Sequence, residues 1–294
     1  MPLTILRALP LALLAASPLP AKVPAPPRPA LWKVADADTT IYLFGTIHVL
    51  PAGLKWRDAA IDKAIAQAQS LMLETVLDRD PGEVGRVLAS LGTGKGLPPL
   101  AERVPPAKRE ALAALVAQTG VPSETLDRMK SWAAAVVLTG ASFSRIGLGP
   151  GGEGVEPQLS ALFRAAGKPI EGLETPEQQL GFFDALPENA QRAFLVSALD
   201  DPKAARADFD RMVAAWIKGD VAAIARAFAE EPEFTPQLRD LLVKRRDQAW
   251  AEALAQRLAR PGTIFVAVGA GHLAGPDSVQ HMLALRKIIA VRMR

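Results

Sequence analysis

Two apolar, strand-forming runs, TIYLFG (40–45) and LMLETV (71–76), flank a segment with helical periodicity. In that segment, RDAAIDKAIAQAQS (57–70), residues Ala60, Ile61, Ala64, Ile65 and Ala68 recur at the spacing of one helix face. Strand, helix, strand in so short a stretch is a βαβ crossover, which commits both strands to one sheet in parallel. The end of the chain repeats the order: a strand and turn in TIFVAVGAGH (263–272), a helix over about 276–286, and a last strand KIIAVRM (287–293). The expected fold class is α/β, a small central mixed or mainly parallel β-sheet from N- and C-terminal βαβ-like units, with a large helical middle section.

That middle section, residues 80–260, is dominated by helical periodicity broken by Pro and Gly. Helices are expected at 105–120, 131–145, 156–167, 187–199, 203–218 and 236–259. KPIEGLETPEQQ (168–179) reads as a short strand running into a turn, with Thr175 capping a helix that has Pro176 at its first position. No repeat of fixed period is present, so 31–294 is read as a single domain with a helical insertion. Trp32, Trp56, Trp132, Trp216 and Trp250 are read as core or groove residues.

The 294 residues are 49 % apolar and 22 % charged, the balance of a globular protein with a substantial core. The net charge of +3 is scattered along the chain, and the basic patch VKRRDQ (243–248) falls inside a helical pattern. A nucleic-acid surface is therefore not expected. At the N-terminus, Arg7 precedes an apolar stretch from Ala8 to Ala16, the pattern of a secretory signal over residues 1–21, followed by a proline-rich linker over 22–30. No later segment reaches the length of a bilayer span, so the mature chain is expected to be periplasmic or secreted without a transmembrane segment. The absence of cysteine excludes disulfides, thiol catalysis and a lipidated cysteine anchor.

The chain has three histidines, and two of them follow strands in the same way: Gly45-Thr46-Ile47-His48 and Gly269-Ala270-Gly271-His272. Ligand sites in parallel sheets form at the carboxyl ends of strands. Glycine there allows a sharp turn, including one with φ > 0, that aims the histidine into the crevice above the sheet. If the two strands are near neighbours, His48 and His272 converge as metal ligands or a general base. Glu74, inside a strand that pairs with or neighbours the one carrying His48, is a carboxylate that needs a partner. Of Glu171 and Glu174, the latter is the better placed, and Arg246 would answer the negative charge. His272 follows its strand outside the core, so its removal should change stability by no more than about 1 kcal/mol. His281 lacks the glycine turn and lies on a helical stretch, a surface position.

Taken together, LWKV, YLFGTIHVLP, LMLET, the KSW segment (130–132), GVEPQLSALFRAAGKPIEGLETPEQQL, RRDQAW and VAVGAGHLAGPDSV resemble the TraB/GumN family over residues 31–293. That family is related to the Tiki metalloproteases and distantly to erythromycin esterases. The resemblance implies an α/β fold with both GxxH motifs and acidic residues in one site, and, through the Tiki branch, a divalent-metal-dependent peptidase. Carried over by position, the site comprises His48, Glu74, Glu174, Arg246 and His272. This chain departs from the family's pattern at Glu156 (often Asp), Asp247 (often Asn) and Ser131 (often Pro).

The leading expectation is an exported metal-dependent hydrolase acting on peptide or amide bonds of a peptide or small-molecule substrate. His48, His272 and Glu74 would hold a divalent transition metal (Mn, Co, Fe or Zn), with Glu74 or Glu174 as base and Arg246 on the oxyanion or a substrate carboxylate. The alternatives are a non-catalytic peptide-binding or sequestering protein, and a metal-free esterase with one histidine as general base.

Overall fold

A computed structural model describes residues 26–76, 82–148, 154–230 and 235–293. The expected signal segment 1–21 and the first residues of the proline-rich linker lie outside them. Six strands, β1 (Leu31–Ala35), β2 (Thr39–Thr46), β3 (Ser70–Thr75), β4 (Ile170–Glu174), β5 (Gly262–Gly269) and β6 (Val291–Arg292), form one mixed sheet in the order β4-β3-β5-β2-β1-β6. β2, β5, β3 and β4 are mutually parallel, while β1 runs antiparallel to both β2 and β6. The α/β class, the mixed sheet and the large helical section stand as read from the sequence.

Four details differ. β2 and β3 are not paired, because β5 lies between them. Ile264 to Val268 of β5 are all buried to 1 % or less, and a strand apolar on both faces belongs in a sheet centre covered on both sides. The expected last strand over 287–293 shrinks to Val291–Arg292 at the outer edge, beyond Lys287, whose φ of 63° turns the chain. The helix expected over 236–259 is interrupted: Pro236–Arg239 leads into a π-helical turn at Asp240–Lys244 before Arg245–Leu258. Further helices at Glu83–Leu91 and Val221–Glu230 were not expected. The second had a local signal, since the Asp220 carboxylate accepts from the Ala223 N–H as a cap does. The first helix, Ala59–Gln67, is capped by Asp58, and Thr175 and Gln178 form the capping box of Pro176–Asp184.

Alternation along the strands sorts side chains onto two faces. Tyr42, Phe44, Leu71, Leu73, Phe265 and Ala267 pack with Ile61, Leu159, Phe163 and Trp216 from the helices Ala59–Gln67, Val155–Ala165 and Pro202–Ile217. Ile41, Leu43, Ile264, Val266 and Val268 face Trp250 and Leu254 of Arg245–Leu258 and Val279 and Leu283 of Val279–Leu285. The middle helices hold a separate core around Leu112, Leu115, Leu126, Leu138 and Leu195. All five tryptophans are buried.

Phe44 is fully buried, with its ring centroid 5.4 Å from Trp56, 6.3 Å from Trp216 and 5.7 Å from Phe265. Phe44→Ala should therefore cost about 3–5 kcal/mol in urea unfolding. A loss under about 1 kcal/mol would show that this aromatic cluster does not hold the helices to the sheet.

Candidate functional site

The parallel register places Thr46 of β2 opposite Gly269 of β5, so both strands end at one level and both histidine turns emerge side by side. Gly45 is needed because the turns touch: a Cβ there would lie 3.0 Å from Cα of Ala270. A Cβ on Gly269 would instead enter the space between the functional groups, 3.1 Å from Glu74 Oε1, 3.6 Å from His272 Cδ2 and 3.7 Å from His48 Nε2. Neither glycine has a positive φ. Their role is space, not the left-handed turn that the sequence left open to them.

Each imidazole is held from behind by a carboxylate. His48 Nδ1 lies 2.7 Å from Glu156 Oε1, which also accepts from Thr46 Oγ1 at 2.5 Å. Glu156 reaches this point because Gly154 lets the start of helix Val155–Ala165 press against the first turn. A Cβ on Gly154 would lie 2.0 Å from the His48 carbonyl oxygen, and the Val155 N–H donates to the Ile47 carbonyl at 3.1 Å. His272 Nδ1 lies 2.6 Å from Asp247 Oδ1, and its ring centroid is 4.5 Å from that of Trp250. Glu156 and Asp247 entered the sequence reading only as departures from a family pattern. The signal that would have promoted them is the need of an aimed histidine for an acceptor at its second nitrogen.

Behind the histidines, Arg246 gathers the remaining acids. Its Nε–H donates to Glu174 Oε1 at 2.9 Å, and Nη2 donates to Glu74 Oε2 at 2.7 Å and Glu174 Oε2 at 2.8 Å. Nη1 donates to the Leu242 carbonyl at 3.2 Å and lies 3.3 Å from His272 Nε2. A guanidinium has five N–H groups, and all five have acceptors here. The last contact requires Nε2 of His272 as acceptor, which puts its proton on Nδ1, facing Asp247. Glu74 accepts from the Gly269 N–H at 2.6 Å and from Gln179 Nε2 at 3.2 Å. Glu174 also accepts from Trp250 Nε1 at 2.9 Å. The five residues singled out from sequence are thus in one cluster, while Glu171 and His281 are exposed elsewhere.

Lys130-Ser131-Trp132 lies outside this cluster. Lys130 Nζ and Trp132 Nε1 both donate to Asp184 Oδ1, at 2.6 and 2.9 Å, at the end of the helix that carries Gln179. Ser131 donates to Glu188 at 2.9 Å.

Burial alone would raise the Glu74 carboxyl, but His272, Arg246, His48 and the Gly269 N–H together hold it at about 2. Burial also opposes the ionised form of Glu156, which the His48 hydrogen bond and charge and the Thr46 hydroxyl keep below the ordinary carboxylate range. The hydrogen bond to Glu156 in turn raises His48, whose side chain remains 69 % exposed to the crevice. Asp247 is the exception: burial pushes it up to about 6 despite His272 and Arg246. Its Oδ2 is buried without a partner among the described residues.

Imidazole and carboxylate are side-chain types that divalent cations take as ligands. Four carboxylates, Glu74, Glu156, Glu174 and Asp247, share the site with one guanidinium, and a divalent ion would reduce their excess of negative charge. Carboxylates behind histidines are the usual outer support of metal sites. The arrangement is not a closed clasp: among the described residues, no three His, Asp or Glu side chains are already grouped to hold an ion. His48 Nε2 and Glu74 Oε1 border the open space at Gly269, while His272 Nε2 is 3.8 Å from Glu74 Oε1 and accepts from Arg246. His272 itself is 9 % exposed, more enclosed than its position after the strand suggested. Its removal should cost about 1–3 kcal/mol through the lost buried hydrogen bonds.

Asp247 provides a test with a definite sign. Its pKa is higher in the folded chain, about 6, than its ordinary value of 3.8, so the unfolded chain gives up this proton first. Its contribution to stability therefore falls as pH rises from about 4 to about 6 and stays low above that. Across this window the wild type should lose about 1–3 kcal/mol relative to Asp247→Asn, read from urea midpoints at each pH. Parallel stability curves for the two proteins would contradict the burial of an ionisable Asp247.

The model of the TraB/PrgY/gumN family matches residues 30–292. The "Uncharacterized protein YbaP" of Escherichia coli (strain K12) is 24 % identical over 255 residues, 87 % of this chain and 92 % of that protein. The YbaP protein of Shigella flexneri is 24 % identical over 242 residues, 82 % of this chain and 87 % of that protein. An "Uncharacterized protein" of Treponema pallidum (strain Nichols) is 24 % identical over 279 residues, 88 % of this chain and 81 % of that protein. No solved structure matches. With nearly the whole described chain matched, the protein belongs to the TraB/PrgY/gumN family.

Proposed function

We propose that this protein is an exported hydrolase of peptide or amide bonds whose site takes a divalent transition metal. The observation that supports this reading most is the pair of carboxylate-backed histidines, with Nδ1 contacts of 2.7 and 2.6 Å, opening beside Glu74 at Gly269. His48 and His272, through Nε2, and Glu74 would hold the ion. When bound, it would polarise the scissile carbonyl and lower the pKa of a water. Glu74, kept at about 2, is a weak proton acceptor and suits the role of an anionic ligand better than that of a base. Glu156 and Asp247 fix the imidazole orientations. Arg246 anchors Glu74 and Glu174, and an ion on His272 Nε2 would release the Nη1 N–H now directed there, the one donor free for an oxyanion or a substrate carboxylate. Protons compete with a metal for His48, so binding should weaken as pH falls.

A second reading is favoured by the Arg246 contact to His272 Nε2 and by the open donor arrangement. In it, the site is metal-free and His48, braced by Glu156, moves the proton at Nε2.

Metal content of the purified protein and cleavage of a peptide library, before and after chelator, separate the two. The first reading predicts about one ion per chain and activity lost with it. Glu156→Gln should weaken metal affinity about 10–100-fold. His48→Ala should lower activity by more than about 100-fold while His281→Ala changes nothing. Chelator-resistant cleavage that still needs His48 would decide for the metal-free site. No cleavage by metal-loaded protein would remove the hydrolase.

A further inference from the structure

Among the described residues, the exposed large apolar side chains are Leu285, Ile289, Val291 and Met293, all in the last stretch of the chain. Alternation puts Ile289, Val291 and Met293 on one side of the edge strand β6, because Ile288 and Ala290 pack on the core and the Arg292 guanidinium lies over the Trp32 ring. Charge gathers at the same edge. Residues 278–294 carry Arg286, Lys287, Arg292 and Arg294 and no acid, and residues 1–35 carry Arg7, Lys22, Arg28 and Lys33 and no acid. Residues 36–277 hold 26 Lys and Arg against 31 Asp and Glu. The two acid-free ends meet where Trp32 pairs with Arg292 and Lys33 with Val291. Glu252 reaches Arg286 at 3.2 Å and Arg292 donates to the Gly219 carbonyl, while Arg28 and Lys287 are exposed.

We propose that this edge docks on the surface of an anionic phospholipid bilayer, its apolar side chains among the lipid headgroups and its cations on the phosphates. Exposed apolar side chains accompanied by lysine and arginine are the combination that holds a protein at such a surface. A second copy fits less well. Apposed edges would bring Arg286, Lys287 and Arg292 against their own counterparts, and four apolar side chains fall far short of the about 800 Å² per partner that a stable interface buries. Position points the same way: the described chain starts at residue 26, and the Met293 N–H donates to the Leu31 carbonyl at 2.8 Å, so the apolar stretch Ala8–Ala16 leads into this edge. That last point rests on the exported reading; the apolar face and the charge do not, and hydrolysis enters none of the three.

The test is co-sedimentation of the chain from Lys22 onward, which keeps every described element, with vesicles of phosphatidylcholine alone or with about one-third phosphatidylglycerol. Binding to the anionic vesicles should be at least about tenfold tighter and should weaken as salt is raised. Ile289→Thr with Val291→Thr, which keeps strand-forming side chains at exposed positions, should weaken it at least about fivefold without lowering the melting temperature. Arg286→Gln with Lys287→Asn, the asparagine suiting the φ of 63° there, should do the same. Lys55→Gln with Lys63→Gln, an equal loss of charge elsewhere, should leave binding unchanged. No binding, equal binding to both vesicles, wild-type binding by the threonine variant, or the same loss in the Lys55 and Lys63 control would overturn the proposal. A lipid-free dimer that the threonine variant dissociates would assign the edge to a second copy and overturn it too.

Discussion

Arg246 ties the ends of two strands and one histidine turn to a single helix. Glu74 comes from β3, Glu174 from β4 and His272 from the turn after β5, and one buried guanidinium bonds to all three. Burying these charges is costly, and the arrangement persists because each is paired and hydrogen-bonded. Removing Arg246 would leave Glu74 and Glu174 uncompensated, at a cost of about 3–5 kcal/mol. The cluster sits at the carboxyl ends of parallel strands, and this explains why the helix Arg245–Leu258 carries Arg246, Asp247 and Trp250 on one buried stripe. The π-helical turn just before it offsets the residues that precede this stripe from a regular helical register.

Space for chemistry comes from what is missing at Gly269. With the ends of β2 and β5 level, any side chain there would fill the gap between His48 and Glu74. Gly45 and Gly154 do a different job, letting backbone segments approach so closely that the second histidine turn and the helix carrying Glu156 both abut the His48 turn. Three glycines thus convert strand register into side-chain convergence.

Much of this was legible in the sequence, for physical reasons that can be named. The strands β2 and β5 are long apolar runs, and such runs are unmistakable when both faces are buried. Their shared glycine-to-histidine offset marked His48 and His272, and a carboxylate inside a strand marked Glu74. The insertion of β5 between β2 and β3 was not legible, since a crossover fixes direction but not how many strand positions it skips. Glu156 and Asp247 were passed over because a helical acid reads as solvated until its neighbour across 108 or 25 residues is known. Lys130-Ser131-Trp132 stood out as a motif, and its role is to dock the helix that carries Gln179 onto the rest of the fold. Exposure of His272 was misjudged because a residue after a strand can still be covered by a helix, here by Trp250.

The central claim is that a carboxylate holds Nδ1 of each site histidine, with His48 Nε2 at the open space by Gly269 and His272 Nε2 on Arg246, a contact that an ion bound by both histidines would displace. Long-range proton–nitrogen NMR of the chain with labelled histidines reads this directly, and His281 serves as a solvent-exposed reference. His272 should show its proton on Nδ1 and an unprotonated Nε2, and the Nε2 signals of His48 and His272, not of His281, should shift together on titration with zinc. His272 protonated at Nε2, or a zinc response confined to one of the two site histidines, would contradict the account.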